Sequence, residues 1–457
     1  MKQSTIAAIA TAPGESGISI VRISGQRSLA VLREIFRDSQ GRKRQHFAAR
    51  HLYLGYVLGK DEQILDQVLV TYMPGPYSYT GEDIVEINSH GGAFVTREIL
   101  ALVLQQGITL AEPGEFTQRA FLNGKLDLMQ AEAVIDLIQA KSKAALQQAG
   151  RHLRGELSYR VAAMRELVVG LLAQAAASID FPEHDVPQLS AQQMQTGIEK
   201  ALADINILLS TSFAGRVLRE GLQVAIVGRP NVGKSSLLNA LVGKQRAIVT
   251  DVAGTTRDII EEFFSINGIP IKLLDTAGLR QTEDPVEKIG VALAEETMLD
   301  ADLVLVVLDQ GQPLSVEDRR ILGDSGIGRR FVVLNKCDLS SQLTVADLDL
   351  LQGENIFRVS ALSEAGLAEL RTAIAEIVMQ GVVQLESPFV ANVRQEYLLR
   401  EAAAYLQAAA ETVRSGWPLD MVQIDLQAAY DRLGEMLGQH ASESLAQEIF
   451  SRFCIGK

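Results

Sequence analysis

The stretch Gly228-Arg229-Pro230-Asn231-Val232-Gly233-Lys234-Ser235 fits G-x-x-x-x-G-K-[ST], the spacing of a phosphate-binding loop. Its flanks supply the required context. Residues 222–227 are almost wholly apolar and read as a buried parallel strand, and residues 236–241 read as the start of a helix. Glycines let the backbone wrap closely around phosphate, so that successive N–H groups and the helix N-terminus face the negative charge. Lys234 would reach the β- and γ-phosphate oxygens, Ser235 would ligate Mg²⁺, and Asn231, Val232, Gly233 and Ser236 complete the phosphate-binding run.

Working outward, residues 248–258 follow the loop helix and carry Thr250-Asp251-Val252-Ala253-Gly254-Thr255-Thr256. A hydroxyl here can complete Mg²⁺ coordination and sense the γ-phosphate, and Thr256 and Thr255 are the candidates. Residues 259–266 and 269–274 pair as a hairpin through Asn267-Gly268. The second of these strands runs into Asp275-Thr276-Ala277-Gly278, where Asp275 is the water-mediated Mg²⁺ carboxylate and Gly278 offers an N–H to the γ-phosphate.

Residues 300–308 and 330–334 are two more buried strands, and the latter leads into Asn335-Lys336-Cys337-Asp338. Guanine presents two neighbouring donors that one Asp338 carboxylate accepts together. Adenine would leave that acid unsatisfied. Ser360-Ala361-Leu362, after the next strand, suits a backbone contact to the guanine oxygen. Four motifs in this order specify a GTP-binding α/β domain with a doubly wound parallel sheet. Leu279 stands where many GTPases place a water-orienting glutamine, so another group must position the water. Glu283, Asp284 and Glu287 are the nearby carboxylates. Arg229, Arg257, Arg280 or a monovalent cation beside Asn231 would balance the developing phosphate charge.

A chain of 457 residues is long for one core, which implies about three domains. A net charge of −13 argues against a protein that coats nucleic acid, while leaving room for a local RNA contact. Two cysteines, Cys337 and Cys454, make no disulfide framework and fit a reducing compartment. The reading expects no apolar run of transmembrane length. The first residues faintly resemble a signal peptide, but their apolar core is short and residues 17–23 continue as a strand. A cytoplasmic protein without a membrane role is expected.

Residues 1–120 read as an α+β domain, with β-like runs at 5–10, 17–24, 66–72 and 83–88 and helices at 28–36 and 96–105. Its polar candidates, Arg22, Glu86, His90 and Lys125, are ordinary solvated residues on their own chemistry. Residues 121–220 and 382–457 share Ala- and Leu-rich helical spacing. Neither stretch buries much alone, so they should pack together as one discontinuous all-α domain, with residues 221–381 inserted as the P-loop GTPase domain. Cys454 reads first as a small packing residue, and Arg452 and Lys457 would favour a thiolate if it has a chemical role.

Several further strings point to a family: Val21-Arg22-Ile23-Ser24-Gly25, Tyr79-Thr80-Gly81-Glu82-Asp83, His90-Gly91-Gly92, Pro113-Gly114-Glu115-Phe116, Arg119-Ala120-Phe121-Leu122-Asn123, Lys125-Leu126-Asp127-Leu128 and Phe453-Cys454-Ile455-Gly456-Lys457. With these and the nucleotide motifs, the chain resembles the MnmE (TrmE) family of bacterial tRNA-modification GTPases over essentially its full length. The resemblance implies an N-terminal domain that dimerises and binds (6S)-5-formyl-tetrahydrofolate or a related one-carbon tetrahydrofolate, through Arg22, Glu86, Lys125 and Lys457. It implies K⁺-stimulated GTP hydrolysis, with Asn231, Thr250, Val252 and Thr255 holding K⁺, Ser235 and Thr256 holding Mg²⁺, and Glu287 orienting water through a bridging water. It also implies a homodimer that works with the flavoprotein MnmG, in a heterotetramer-type complex, on C5 of the tRNA wobble uridine. The rival readings are a ribosome-assembly GTPase with a basic RNA-binding appendage and a GTP-dependent scaffold without modification chemistry.

Overall fold

The computed structural model describes residues 4–59, 61–180, 190–242, 263–274, 301–323, 328–379, 388–439 and 443–457. The chain divides into two compact units. One comprises Met1–Ile135, His152–Arg165 and Leu433–Lys457, the other Asp136–Arg151 and Glu166–Arg432.

The first unit is built on a seven-stranded sheet. Its strands are β1 (Ile6–Ile9), β2 (Ser16–Ser24), β3 (Phe36–Asp38), β4 (Leu52–Leu58), β5 (Ile64–Met73), β6 (Ile84–Gly91) and β7 (Thr109–Leu110). Their order is β3-β4-β5-β6-β2-β1-β7. All neighbours are antiparallel except β1 and β7. The two-residue period of a strand sorts its side chains by face. Val21, Ile23, Val85 and Ile87 turn to one face and pack with Leu32, Ile99 and Val103 from helices Ser28–Ile35 and Ala93–Gln105. Arg22 and Glu86, directly opposite each other in the β2–β6 register, fall on the other face.

The α+β expectation for this region holds. β3, β4 and β7 were not expected. β3 and β7 are three and two residues long, too short to show a period. Helix Glu443–Ser451 packs against helix Leu128–Gln139 through Ala131, Val134, Ile135, Ala446 and Phe450.

The second unit holds a six-stranded sheet. Its strands are β8 (Leu222–Val227), β9 (Phe263–Ile266), β10 (Ile269–Leu273), β11 (Leu303–Asp309), β12 (Arg330–Asn335) and β13 (Ile356–Arg358). The order is β13-β12-β11-β8-β10-β9, parallel throughout except for β9. β11 is buried at all seven positions, as an apolar run covered on both faces must be. Asn267 (φ +48°) and Gly268 (φ +85°) make the two consecutive left-handed residues of a tight hairpin turn between β9 and β10. Residues 259–262, expected as the first part of β9, lie outside the described residues.

Helix Ser212–Glu220 precedes β8, and its Ala214, Val217 and Leu218 join one apolar cluster with Val224, Ile271, Ile374 and Phe389. The expected boundary at 220/221 therefore runs through this core, which takes in residues on both sides of it. The cluster also reaches Phe389, beyond the expected boundary at 381/382, residues that are themselves undescribed. Thr211 Oγ1 accepts from Val390 N at 3.1 Å, and a Cβ on Gly215 would stand 2.0 Å from Val390 O. The chain thus enters and leaves this domain through two segments packed in direct contact. Helices Ala191–Leu209 and Val393–Arg414, one from each side of the insertion, pack on each other as the helical reading requires.

One expectation is corrected. Glu156–Ile179 and Ala191–Glu220 are long and apolar enough to cross a membrane by length and composition. Part of that apolar surface has a partner within the protein. Met194, Ile198, Ala201 and Ile205 of the second stretch are buried along one helix face.

Candidate functional site

The phosphate loop starts where β8 ends. Gly228 (φ +144°) turns the chain so tightly that a Cβ would lie 2.3 Å from Val307 O. Gly233 (φ +97°) comes equally close to the next strand, where a Cβ would lie 2.2 Å from Asn335 Nδ2. Only glycine fits at either position, which leaves a backbone cradle free of side-chain bulk. Lys234, first residue of helix Lys234–Val242, donates to the carbonyls of Gly228 at 2.6 Å and Arg229 at 2.8 Å. Burial pulls its ammonium below the ordinary lysine value, with Glu317 opposing the shift. Ser235 and Ser236 are exposed at the helix start, Val232 is buried, and Asn231 is exposed in the left-handed region (φ +66°).

Parallel strands carry the other motifs to the same end of the sheet. Asn335, at the end of β12 and 2% exposed, links three of them. Its Nδ2 donates to Val232 O at 2.8 Å, and its Oδ1 accepts from Ala361 N at 3.2 Å. Lys336 (φ +61°) donates to Asn231 O at 3.1 Å and to Asp309 Oδ2 at 2.6 Å. Ser360 is fully buried, and its Oγ accepts from Ser363 N. Asp338 and Leu362 are exposed beside them, and the half-buried Cys337 N–H is tied to Val359 O. The arrangement offers a backbone and ammonium clamp for phosphate and an exposed carboxylate for a base with two adjacent donors.

Three features here were not read from the sequence. Asp309 is a carboxylate closing an otherwise apolar strand, and that position was its only signal. Arg229 is ion-paired with Asp318 of helix Val316–Gly323 at 2.8 Å, so its charge is matched within the domain. A cleft of about 1030 Å³, lined by Arg330, Glu354 and Thr372 among others, lies at the opposite ends of β12 and β13 and is no part of the nucleotide site.

Thr250, Asp251, Val252, Ala253, Gly254, Thr255, Thr256, Asp275, Thr276, Ala277, Gly278 and Glu287 lie outside the described residues. So do Arg257, Arg280, Glu283 and Asp284. Among the described residues no three His, Cys, Asp or Glu side chains group as a metal site. A cation here would be held by hydroxyls, amide oxygens and the nucleotide itself, the donor types the motifs supply.

The first unit gathers a second constellation. Arg22 donates from Nε to Glu86 Oε1 at 2.9 Å and from its terminal nitrogen to Gly456 O at 3.1 Å. Its guanidinium lies over Phe116 and Tyr79, with centroids at 5.7 and 6.0 Å. Lys457 O accepts from Phe116 N at 3.0 Å, so the terminal string is docked against β1 and this pair. Gly456 (φ +92°) permits the close approach, since a Cβ would meet Ile9 O at 2.2 Å. Burial and the Arg22 charge pull Lys457 below the ordinary lysine value, with Glu86 opposing.

Of the four expected folate residues, three are therefore brought together. Lys125 instead donates to Pro76 O at 3.1 Å. Cys454 is exposed, which corrects its reading as a packing residue. His90, also exposed, is held by Asp66, whose carboxylate accepts from the ring Nδ1–H at 2.6 Å and from the His90 backbone N–H at 2.8 Å.

The strings quoted above are largely explained by one network beside this constellation. Arg119, 4% exposed, pairs with Glu82 at 3.1 Å and Glu115 at 2.7 Å. Ser24 Oγ lies 2.8 Å from Thr80 Oγ1 and donates to Glu82 Oε2 at 2.7 Å, while Asn123 donates to Thr80 O. A buried arginine needs such partners, and they come from four separated strings.

Comparison with known proteins fits this site. Residues 5–125 match the N-terminal domain described as GTP-binding protein TrmE N-terminus, and residues 128–454 match the MnmE helical domain. The tRNA modification GTPase MnmE of Thermoanaerobacter sp. (strain X514) is 47% identical over 99% of both chains. That of Alkaliphilus oremlandii is 46% identical over 99% of both, and that of Enterococcus faecalis 44% over 100% of this chain and 99% of its own. The G domain of the T. maritima FeoB iron transporter is 28% identical over 34% of this chain and 97% of its own, with a TM-score of 0.26, too low to bear on the fold. A guanine-type clamp in one unit, a docked C-terminal string in the other, and near-complete coverage at this identity lead to one assignment: the chain belongs to the MnmE family of tRNA modification GTPases.

Proposed function

We propose that this protein hydrolyses GTP as a K⁺-stimulated homodimer and, with the flavoprotein MnmG, installs an aminomethyl-type group on C5 of the wobble uridine of certain tRNAs. The observation that carries the nucleotide half is Asn335. One buried amide ties the phosphate loop to both base-side loops, so phosphate and base recognition are mechanically joined. Lys234 holds the β- and γ-phosphates, and Asp338 accepts from the two donors of guanine. Mg²⁺ on Ser235 and Thr256, and K⁺ near Asn231, Thr250, Val252 and Thr255, would supply positive charge to the phosphates. Arg229 is matched by Asp318, which supports a cation other than this arginine for that duty. Glu287 orients the attacking water.

For the one-carbon half, the ion-paired and half-buried Arg22, with Lys457 nearby, supports recognition of a folate by charge. The exposed Cys454 is free to act in the transfer. A cytoplasmic location belongs to the same reading.

Mass spectrometry of wobble nucleosides from cells lacking the protein tests the whole. Loss of the C5 modification is expected, and its persistence would overturn the proposal. GTPase rates in K⁺ and Na⁺ test the cation, because equal rates contradict it. Glu287→Ala should abolish turnover while sparing nucleotide binding, and unchanged turnover would remove that assignment.

A further inference from the structure

One segment of the first unit carries charge opposite to the rest of the chain. Residues 33–51 hold six basic side chains, Arg33, Arg37, Arg42, Lys43, Arg44 and Arg50, against Glu34 and Asp38. That is a local +4 in a protein of net charge −13.

The segment is an ordered hairpin at the sheet edge. β3 is the terminal strand, and an Arg37–Lys43 bridge folds the chain back on it. The Asp38 carboxylate fixes the turn by accepting from the N–H groups of Gln40 and Arg42, each at 2.9 Å. Four guanidiniums are then held by carbonyl oxygens. Arg33 donates to Gln45 O, Arg37 to Glu34 O and Phe36 O, Arg44 to His46 O, and Arg50 to Tyr77 O at 2.6 Å. Carbonyls orient these groups and leave their charge uncancelled.

Arg44 also lies over the Tyr53 ring at 4.0 Å, and Tyr77, which Arg50 contacts, is 75% exposed. The two acids pair at the surface, Lys43 with Glu34 at 2.9 Å and Arg42 with Asp38 at 3.2 Å. Such exposed pairs hold weakly and yield to a stronger anion. Protecting a three-residue edge strand from mispairing takes one or two charges. Here the basic run continues past the strand to Arg50.

We propose that this basic hairpin grips the phosphate backbone of tRNA, with the Tyr77 ring as a platform for an unstacked base. The proposal rests on the tRNA reading above. Oriented guanidiniums suit phosphate contact, and single-stranded RNA is read by stacking on exposed aromatic rings.

The test is fluorescence anisotropy of an unmodified tRNA transcript titrated with the full chain over a series of NaCl concentrations. Replacing Arg42, Lys43 and Arg44 together by Gln should weaken binding about 10-fold or more in low salt. It should also lower the slope of log affinity against log salt by about 2, from three lost phosphate contacts at about 0.7 each. Tyr77→Ala should weaken binding with the slope unchanged. GTP hydrolysis without tRNA should match the parent in both variants, which shows that they are folded.

Parent-like affinity and slope in the triple variant would overturn the surface while leaving the tRNA reading intact. A parent that binds no tRNA would overturn the surface and direct tRNA contact together, a failure distinguishable because the wobble-nucleoside measurement is independent of it. If the triple variant instead loses binding to phosphatidylserine vesicles and keeps that to tRNA, the hairpin faces a membrane and the proposal is wrong.

Discussion

Replacing Asn335 by Ala should damage the nucleotide site more than removal of any single base contact would. The side chain is 2% exposed and makes two hydrogen bonds, from Nδ2 to Val232 O at 2.8 Å and to Oδ1 from Ala361 N at 3.2 Å. Truncation leaves a buried carbonyl and a partly buried N–H without partners. Each orphaned group costs about 1–3 kcal/mol, so the domain should lose about 2–6 kcal/mol of stability. The truncation also frees the phosphate loop from the base-side loops. If one hydrogen bond's worth of that order, about 1.4 kcal/mol, is lost from the bound state, GTP affinity falls about 10-fold. Fluorescent-GDP titration reads the affinity. Hydrogen exchange across residues 222–242 and 330–361 reads the local stability without assuming that a multidomain chain unfolds in one step. Parent-like protection and affinity in the variant would refute the view of Asn335 as a strut.

Three other outcomes follow from the geometry. Gly456→Ala forces a Cβ to within 2.2 Å of Ile9 O and should undock the terminal string, reducing folate affinity at least about 10-fold and leaving GTP binding alone; calorimetry with both ligands decides. Arg119→Met leaves Glu82 and Glu115 facing each other without their cation and should cost about 3 kcal/mol; less than about 1 kcal/mol in a denaturant titration of the first unit would contradict the network's role. Lys234 titrates below 10.5 because burial disfavours its charge, so in that window the unfolded chain binds more protons and this group's contribution to stability rises with pH. GTP affinity needs the charge and should fall over the same window. Parent minus Lys234→Met differences in stability and affinity that move in the same direction would disprove this linkage.

The local structure of the phosphate loop and of the β9–β10 turn was legible in the sequence because its signals are local. A glycine at φ +144° or +97°, an Asn-Gly hairpin turn and a lysine at a helix start each answer to constraints within a few residues. Uninterrupted apolar runs gave β8, β11 and β12 for the same reason. The β-like runs at 17–24 and 83–88 gave β2 and β6, and the structure shows Val21, Ile23, Val85 and Ile87 on the buried face.

What the sequence could not supply were pairings between distant positions. Arg22 meets Gly456 across 434 residues, Asn335 meets Val232 across 103, and Arg119 gathers Glu82 and Ser24 into one cluster. Nothing in the neighbourhood of any of these residues names its partner. Sheet register and chain docking choose the partner, because a buried charge or amide is tolerated only where the fold brings its complement within hydrogen-bond reach. Packing at the edges of the nucleotide domain also depends on distant positions. Residues 212–220 were read only as part of the helical region, and packing places their Val217 and Leu218 in one core with Val224 of β8 and with Phe389.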